Sequence, residues 1–482
     1  MSMRYVSLER VRGLKAFQRS ALSRSQGSAG ACQGCLSSGT GELPARMRAL
    51  RNQPDRLAEI LGATRKRNQY GDYLSLRCWC AQPARYLPDI AALRLLMAQA
   101  PDEIGNPDHW LFLDTETTGL AGGSGTYAFL VGVGWWEGGG LEIEQFFMRE
   151  CSEERALLLA LRERILERPV LITFNGKSFD WPLLETRYRM SRKISVPTPR
   201  VHLDFLHPAR TLWRLRLGSV RLSELESHVL GWDRGCDVLT DLIPRIYFDF
   251  IRGGPPERLI PVFHHNQMDL RGLAALSTRI LSLLSNAENL GQDGMELFGV
   301  SRICEKQGEH TRARHLYEKS IASFLPRETD RAARRSLARL AKRQGDFDLA
   351  CELWREAAGN SRQGYEAYEQ LAIYYEHKAR DTEEARHIVR QALDELGRAN
   401  QMGDITPAAY REIKARFDYR IQRLERKSRR PLLDLMAPQA SRARPTAHDQ
   451  AARQAGQSAE QIRRRIDGTL TNSSVDEQWP QA

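Results

Sequence analysis

Two acidic residues one position apart are the clearest chemical feature of this sequence. Asp114 and Glu116 lie in the string Leu-Phe-Leu-Asp-Thr-Glu-Thr-Thr-Gly-Leu, which covers residues 111–120. The apolar start of this string predicts a short buried strand, and residues i and i+2 of a strand point to the same face. Two carboxylates on one face repel each other unless a proton or a cation lies between them. The string therefore predicts a site for a hard cation such as Mg²⁺ or Mn²⁺. The alternative is an exposed strand with two solvated acids.

A third acidic residue follows the string Asn-Gly-Lys-Ser-Phe at residues 175–179. We expect a turn from a strand into a helix there, since Pro182 suits the first helical turn. Asp180 is predicted to bind metal, and capping of the helix is the alternative. Phe179 is expected to anchor the turn in the core. Asn175 is expected either to contact substrate or to tie the turn together.

A fourth acidic residue, Asp269, lies in a predicted helix that runs to about Leu284, and two histidines precede it. His265 lies four positions before Asp269, so both side chains face the same side of the helix. His264 lies five positions before it and stays a second candidate. On its own, Asp269 would be interpreted as an acid on the solvated face of a helix.

The three motifs together resemble those of the DEDD exonuclease superfamily, whose members share an RNase H-like fold. The histidine branch of that superfamily places its histidine five residues before the last aspartate, and the tyrosine branch places its tyrosine four residues before it. The resemblance implies two divalent metal ions, Mg²⁺ or Mn²⁺, bound by Asp114, Glu116, Asp180 and Asp269. It also implies that the backbone following the first motif holds the terminal nucleotide, at Thr117, Thr118, Gly119 and Leu120.

Three further strings resemble one bacterial group, the YprB-like proteins. They are Leu-Asp-Phe-Leu-His-Pro-Ala-Arg at 203–210, Ile-Pro-x-x-Tyr at 243–247 and His-Asn-x-x-Asp at 265–269. Proteins of this group have an RNase H-like exonuclease domain followed by tetratricopeptide (TPR) repeats. This sequence departs from the superfamily in two ways, by a histidine in the tyrosine position and by a glycine-rich insertion after Leu120.

The order of predicted elements agrees with that resemblance. Three antiparallel strands, a helix and a parallel strand predict an α/β RNase H-like domain with a mixed sheet. From Met295 the pattern changes to helix after helix, with small residues repeated at about 35 to 37 positions, which predicts an all-α TPR-like domain. An ordinary helical bundle is the alternative. The predicted segments are a basic, partly disordered part (1–64), the exonuclease domain with its lead-in (65–286), the repeats (290–428) and a disordered basic tail (429–482).

Composition favours a polyanionic partner. The chain has 71 Lys and Arg against 60 Asp and Glu, a net charge of +11. Four arginines follow one another closely, either as phosphate contacts or as a solvated helix face: Arg210, Arg214, Arg216 and Arg221. No run of about 20 apolar residues predicts a membrane span, and the polar N-terminus argues against secretion, so a cytoplasmic location is expected. The irregularly spaced cysteines are expected to be free thiols; zinc binding by Cys32, Cys35, Cys78 and Cys80 is the alternative.

These features predict 3′→5′ hydrolysis of single-stranded nucleic acid, with RNA and DNA both open. One ion would lower the pKa of a water, the other would stabilise the leaving 3′ oxygen, and the histidine would orient or deprotonate the water. Two alternatives remain: a nucleic-acid-binding TPR scaffold with weak or no activity, and an endonuclease with the same metal site. A protein partner is expected to bind the repeats.

Overall fold

A computed structural model describes residues 56–81, 89–119, 125–289, 293–360 and 364–436. The chain divides into two compact units, residues 1–309 and 310–482. None of the helices in the described ranges is long and apolar enough to cross a membrane.

The first unit is built on a seven-stranded mixed sheet. Its strands are β1 (Thr64–Asn68), β2 (Gly71–Ala81), β3 (Trp110–Thr117), β4 (Ala128–Glu137), β5 (Gly140–Phe147), β6 (Val170–Thr173) and β7 (Val201–Asp204). They lie in the order β1-β2-β5-β4-β3-β6-β7. Strands β3, β4 and β5 are antiparallel, and β6 and β7 run parallel to β3. This arrangement confirms the predicted RNase H-like sheet.

Strands β1 and β2 extend the sheet beyond β5 and were not predicted. They form an antiparallel hairpin, and β2 pairs with β5 from Leu74 to Ala81. Their sequence carries lysine, arginine and aspartate at many positions, so no continuous apolar run marks them. Pairing to the edge of an existing sheet, a contact between distant parts of the chain, makes this segment a strand.

Among the described residues, the longer helices of this unit lie around the sheet. They are α1 (Ile90–Leu96), α2 (Glu154–Glu167), α3 (Asp180–Ser191), α4 (Leu206–Leu217), α5 (Ile243–Ile251), α6 (Ile260–Asn286) and α7 (Gly294–Gln307). Between α4 and α5, a short helix, Leu222–Leu225, continues as a π-helical turn, Glu226–Leu230.

Helices cover both faces of the central strands. Arg164 of α2 lies over the ring of Trp135 in β4, whereas Gly132, three residues earlier on the same strand, faces Asn266 of α6. Because neighbouring positions of a strand alternate between faces, α2 and α6 lie on opposite sides of β4. Burial on both faces explains why β4 is almost continuously apolar.

Gly132 allows α6 to approach the sheet closely. A Cβ atom at this position would lie 2.1 Å from Asn266 Oδ1 and 2.8 Å from Leu270 Cδ1. Only a residue without a side chain fits at this distance. The close approach brings the acidic residue of α6 near those of β3.

In the part of the second unit that the structure describes, the regular elements are all helices, as predicted. Its helices are α8 (His310–Ala322), α9 (Arg327–Gln344), α10 (Phe347–Asn360), α11 (Tyr365–His377), α12 (Thr382–Gln401) and α13 (Pro407–Met436). Each packs against the next. The small residues of the repeat are fully buried where the helices meet: Ala313, Ala350, Ala385 and Ala392. Helix α13 continues past position 429, where the tail was expected to begin. The TPR-like assignment and the segment boundaries stay predictions.

Candidate active site

A cleft of about 570 Å³ opens at the carboxyl ends of the parallel strands. Asp114 and Glu116 of β3 line it, together with Asn175, which follows β6, and Leu206, which follows β7. His265 and Asp269 of α6 complete the acidic side of the cleft. Open α/β sheets bind their ligands at this edge. The geometry thus brings together residues that lie up to 155 positions apart in the chain (269 − 114).

Asp114 is held by a network of buried side-chain amides. Asn266 is fully buried, and its Nδ2 donates to Asp114 Oδ2 at 2.7 Å. Gln145 Nε2 donates to Asn266 Oδ1 at 2.8 Å, and Gln267 Nε2 donates to Gln145 Oε1 at 2.7 Å. The network therefore fixes one carboxylate oxygen of Asp114.

The acidic residues of the cleft are close enough to oppose one another's ionisation. Burial raises the pKa of Asp114 well above its usual value, and the charges of Asp269, Glu116 and Asp180 raise it further. Burial also raises the pKa of Glu116 to about 8, although His265 opposes this shift. A cation among these carboxylates would relieve their repulsion.

Asp180 begins helix α3 and lies beside the first motif. Thr115 Oγ1 donates to its Oδ1 at 2.5 Å. Burial raises the pKa of Asp180 to about 6, and the hydrogen bond from Thr115 opposes the rise. The preceding residue corrects our expectation: Phe179 is 59% exposed and does not anchor the turn in the core. Leu183 and Leu184, further along the helix, are buried instead.

His265 is fixed by an aspartate that the sequence motifs did not indicate. Its Nδ1 donates to Asp237 Oδ1 at 2.8 Å, and its Nε2 lies 3.5 Å from Asp269 Oδ2. Burial lowers the pKa of His265, but the bond to Asp237 and the charges of Asp269 and Glu116 outweigh burial and raise it to about 9. The other candidate, His264, is exposed and does not line the cleft.

Arg234 is a second functional candidate that the motifs did not indicate. Its guanidinium lies 2.5 Å from Asp269 Oδ1, 2.6 Å from Glu226 Oε1 and 3.1 Å from Asp237 Oδ2. Glu226 is fully buried in the π-helical turn, in space that Gly272 of α6 leaves free. One cation thus holds three carboxylates. The only sequence signal was the Arg-x-x-Asp spacing, which is common on any exposed turn.

The predicted nucleotide-holding segment is tied to the start of β4. Thr118 N donates to Tyr127 O at 2.9 Å, and Tyr127 N donates to Thr118 Oγ1 at 2.9 Å. Thr117 Oγ1 donates to the carbonyl oxygen of Gly119 at 2.9 Å. None of these threonine and glycine residues lines the cleft. Leu120 lies outside the described residues.

Asn175 occupies a turn that Asp204 holds in place. Its φ is +68°, a left-handed conformation that asparagine tolerates better than most residues. The carboxylate of Asp204 accepts hydrogen bonds from the backbone N–H groups of Asn175 at 2.8 Å, Lys177 at 3.0 Å and Leu206 at 3.0 Å. Asp204 therefore joins the ends of β6 and β7, and Asn175 both lines the cleft and stabilises its floor.

The cysteines considered for zinc are divided between described and undescribed residues. Cys78 and Cys80 lie on β2 as partly buried free thiols. Cys32 and Cys35 lie outside the described residues.

The acidic residues suit a divalent cation by their chemistry. Within the part of the chain that the structure describes, no three His, Cys, Asp or Glu side chains are arranged as a ready metal site. Asp114, Asp180 and Asp269 each bond to a protein side chain instead. Carboxylate oxygens are nonetheless the donors that Mg²⁺ and Mn²⁺ prefer, and the mutual repulsion within this set is what a cation would remove. The residues therefore fit such a cation.

Comparison with known proteins identifies the family of the first unit. A family model of the RNase H superfamily matches residues 111–281, which include all four acidic residues and both histidines. A Bacillus subtilis (strain 168) protein, described as uncharacterized protein YprB, is 31% identical over 293 residues. The match covers 60% of this chain and 70% of the relative. RNase H-like nucleases generally use divalent metal ions.

Proposed function

Because this chain belongs to the family of the Bacillus subtilis protein YprB and contains a domain of the RNase H superfamily, we propose that it is a metal-dependent 3′→5′ exonuclease of the DEDD type. Its substrate is single-stranded nucleic acid, which it hydrolyses from the 3′ end. RNase H-like domains suggest a nucleic-acid-processing nuclease in general. The direction of hydrolysis and the subtype are the proposal.

One observation carries this proposal: acids of the first and third motifs line one cleft at the edge of the sheet where such folds bind ligands, and the acid of the second motif lies beside them. Asp114 and Glu116 come from β3, Asp269 comes from α6, and Asp180 lies beside Thr115 of β3. A structural role does not require four mutually repelling carboxylates, because buried like charges cost stability.

Two divalent ions, Mg²⁺ or Mn²⁺, are the proposed cofactors, with Asp114, Glu116, Asp180 and Asp269 as the residues that would hold them. When bound, such ions lower the pKa of a water and stabilise charge on the leaving oxygen. The amide network keeps Asp114 oriented towards the cleft. The single charge of Arg234 is shared among Glu226, Asp237 and Asp269, so the site keeps an excess of negative charge for the ions.

His265 is the proposed fifth catalytic residue, and Asp237 positions it. The bond from Nδ1 to Asp237 leaves Nε2 directed at Asp269 and the cleft. A pKa of about 9 keeps the imidazole protonated at neutral pH, because Asp237, Asp269 and Glu116 attract its positive charge. Divalent cations held by those carboxylates would weaken this attraction and would lower the pKa of His265 towards the range of a general base.

The test is product analysis with RNA and DNA oligonucleotides labelled at either end, in the presence of Mg²⁺ or Mn²⁺. We expect stepwise loss of single nucleotides from the 3′ end, which chelation abolishes. Asp180→Ala should lower the rate by a factor of at least about 100, on the scale of losing a metal ligand. Asp394→Ala, at an exposed position of α12, is the matched control and should keep the wild-type rate.

Circular single strands separate the exonuclease from an endonuclease with the same metal site. A circle has no 3′ end, so an exonuclease leaves it intact. Cleavage of circles at the rate of linear strands would contradict the exonuclease proposal. No metal-dependent cleavage of any substrate would favour a nucleic-acid-binding scaffold.

Residues 290–428 are proposed as TPR-like repeats that bind a protein partner. Support comes from two matching helix ends: Gly308 has φ +87° and Gly345 has φ +83°, 37 positions apart. In both, the N–H after the glycine donates to the carbonyl five residues earlier, Glu309 to Cys304 and Asp346 to Ala341. Repeated caps of this kind are typical of helical repeats.

A further inference from the structure

Three arginines line the cleft that also contains the acidic residues. Arg210 and Arg214 lie on α4, and Arg221 lies just before the short helix that starts at Leu222. We call these three residues the arginine wall. All three are exposed, and among the described residues no carboxylate forms an ion pair with any of them. Arg216, on the same helix, is instead paired with Asp293 at 2.7 Å and does not line the cleft.

The fold fixes the position of the helix that carries two residues of the arginine wall. Helix α4 begins directly after β7, so its first turns stand at the carboxyl edge of the sheet. Residues four positions apart lie on one face of a helix, which aligns Arg210 with Arg214. The neighbouring face is anchored by Trp213, which is fully buried and donates from Nε1 to Glu296 Oε1 at 2.9 Å.

A glycine turn brings in the third arginine. Helix α4 ends at Leu217, and Gly218 takes φ +75°, a conformation that other residues adopt only with strain. The chain then returns along the cleft through Ser219 and Val220 to Arg221. The position of the arginine wall therefore depends on helix α4, on the turn at Gly218 and on the start of the short helix at Leu222.

The charges of the arginine wall suit a phosphate backbone. Guanidinium groups bind phosphate oxygens through two parallel hydrogen bonds, and they do so best when no carboxylate already occupies them. The acids across the cleft would repel a polyanion. Three unpaired cations on the facing wall offset that repulsion while leaving the acids free.

We propose that the arginine wall is the site that binds the phosphate backbone of a single strand and holds it against the acidic residues. The inference rests on the proposed nuclease function and names how that site takes its substrate. Contacts to phosphates carry no base information. The wall therefore binds RNA and DNA strands of any sequence.

The test measures binding without cleavage. The anisotropy of a labelled single-stranded oligonucleotide is followed in EDTA at several salt concentrations, for the wild type and for Arg210→Ala/Arg214→Ala/Arg221→Ala. Each phosphate contact on a single strand contributes about 0.7 to the slope of log affinity against log salt. Loss of three contacts should lower that slope by about 2 and weaken binding at low salt at least about tenfold.

Charge-matched variants control for a general loss of positive charge. Arg216→Ala/Arg245→Ala/Arg252→Ala removes three exposed arginines outside the cleft and should keep the wild-type slope. The triple lysine variant of the wall should keep most of the slope, because lysine still binds phosphate as a point charge. Thermal melting should be similar for all variants, since the substituted side chains are exposed.

The outcomes separate this inference from the proposed function. A wild-type slope in the triple alanine variant would overturn the arginine wall even if the protein cleaves its substrate normally. Equal effects of the wall and control substitutions would overturn it as well. If the wild type binds strands with the expected slope but never cleaves them in the presence of metal, the nuclease proposal is wrong and the arginine wall proposal is retained.

Discussion

At the scale of the residue, the main feature of the site is its excess of negative charge. Three acids line one cleft and Asp180 lies beside them, and the protein offsets their charge by a proton, by an internal cation or by an amide donor. Glu116 keeps a proton to about pH 8, Arg234 contacts Asp269, and Asn266 donates to Asp114. A divalent cation would offset the negative charge more strongly than the proton, the guanidinium and the amide do.

The pH dependence of cation binding tests this description. The pKa of Glu116 is about 8 in the folded protein against an ordinary 4.5, and that of Asp180 is about 6 against 3.8. For an acid with a raised pKa, the contribution to the free energy of unfolding is greatest below its ordinary pKa and is lost as the pH rises through the folded value. Cations must displace these protons to bind. The rise in melting temperature on adding Mn²⁺ should therefore grow from about 1 °C or less at pH 5 to several degrees at pH 8.

Replacing Glu116 by glutamine tests the contribution of its carboxylate alone. Glu116→Gln should show a metal-dependent rise that is smaller and less dependent on pH, whereas Glu163→Gln, at an exposed position of α2, should behave as the wild type. Differential scanning fluorimetry in EDTA and in Mn²⁺ measures the metal-dependent rise in melting temperature of each variant at each pH. An equal rise at pH 5 and pH 8 would contradict the assignment of these acids as the cation site.

At the scale of the element, the long helix α6 and strand β4 determine the geometry of the site. The helix carries His265, Asn266 and Asp269, and it lies close to the sheet only because Gly132 has no side chain. The position of the acids thus depends on a contact between two elements that share no local sequence.

A methyl group at that contact should disturb both stability and activity. Gly132→Ala places a Cβ 2.1 Å from Asn266 Oδ1, so the helix or the amide must move. We expect a loss of about 1–3 kcal/mol in the free energy of unfolding, the usual cost of overpacking. Cleavage should slow as well, because Asn266 would no longer hold Asp114. Urea unfolding and single-turnover cleavage measure the two effects.

Gly134→Ala is the matched control on the same strand. Its Cβ would meet its nearest neighbour, Glu142 O, at 3.6 Å, an ordinary contact distance. Both variants replace a buried strand glycine, so their difference isolates the approach of the helix. Similar losses in the two variants would show that Gly132 matters only as a strand residue.

At the scale of the whole molecule, the chain joins a sheet-based unit to a helical one. Both have buried cores of their own. The described acids of the candidate site, the arginine wall and the amide network all belong to the first unit. A ligand of the cleft should therefore stabilise that unit alone.

Calorimetry of the full-length protein tests this expectation. We expect at least two unfolding transitions, because proteins with separate cores seldom unfold in one step. Mn²⁺ should raise the temperature of one transition and leave another unchanged. The Asp180→Ala variant should lose most of the rise. A single transition that shifts as a whole would show that the two units unfold together.

The sequence by itself determined the central strands of the sheet, the acidic motifs and the change to helices. Spacings of two residues on a strand and four on a helix are local, so Asp114 with Glu116 and His265 with Asp269 were recognisable from their positions. The RNase H-like sheet order followed from the strand patterns. The roles of these residues stay proposals, and the experiments above test them.

Only the tertiary structure decided what surrounds those motifs. Asp237 binds His265 across 28 positions, and Arg234 reaches Asp269 across 35. The exposure of Phe179 and the pairing of β2 with β5 likewise depend on distant segments. Such contacts leave no periodic trace in the sequence, because each is set by how the whole sheet and its helices pack. The partners that control the charge of the site therefore became visible only once the chain was folded.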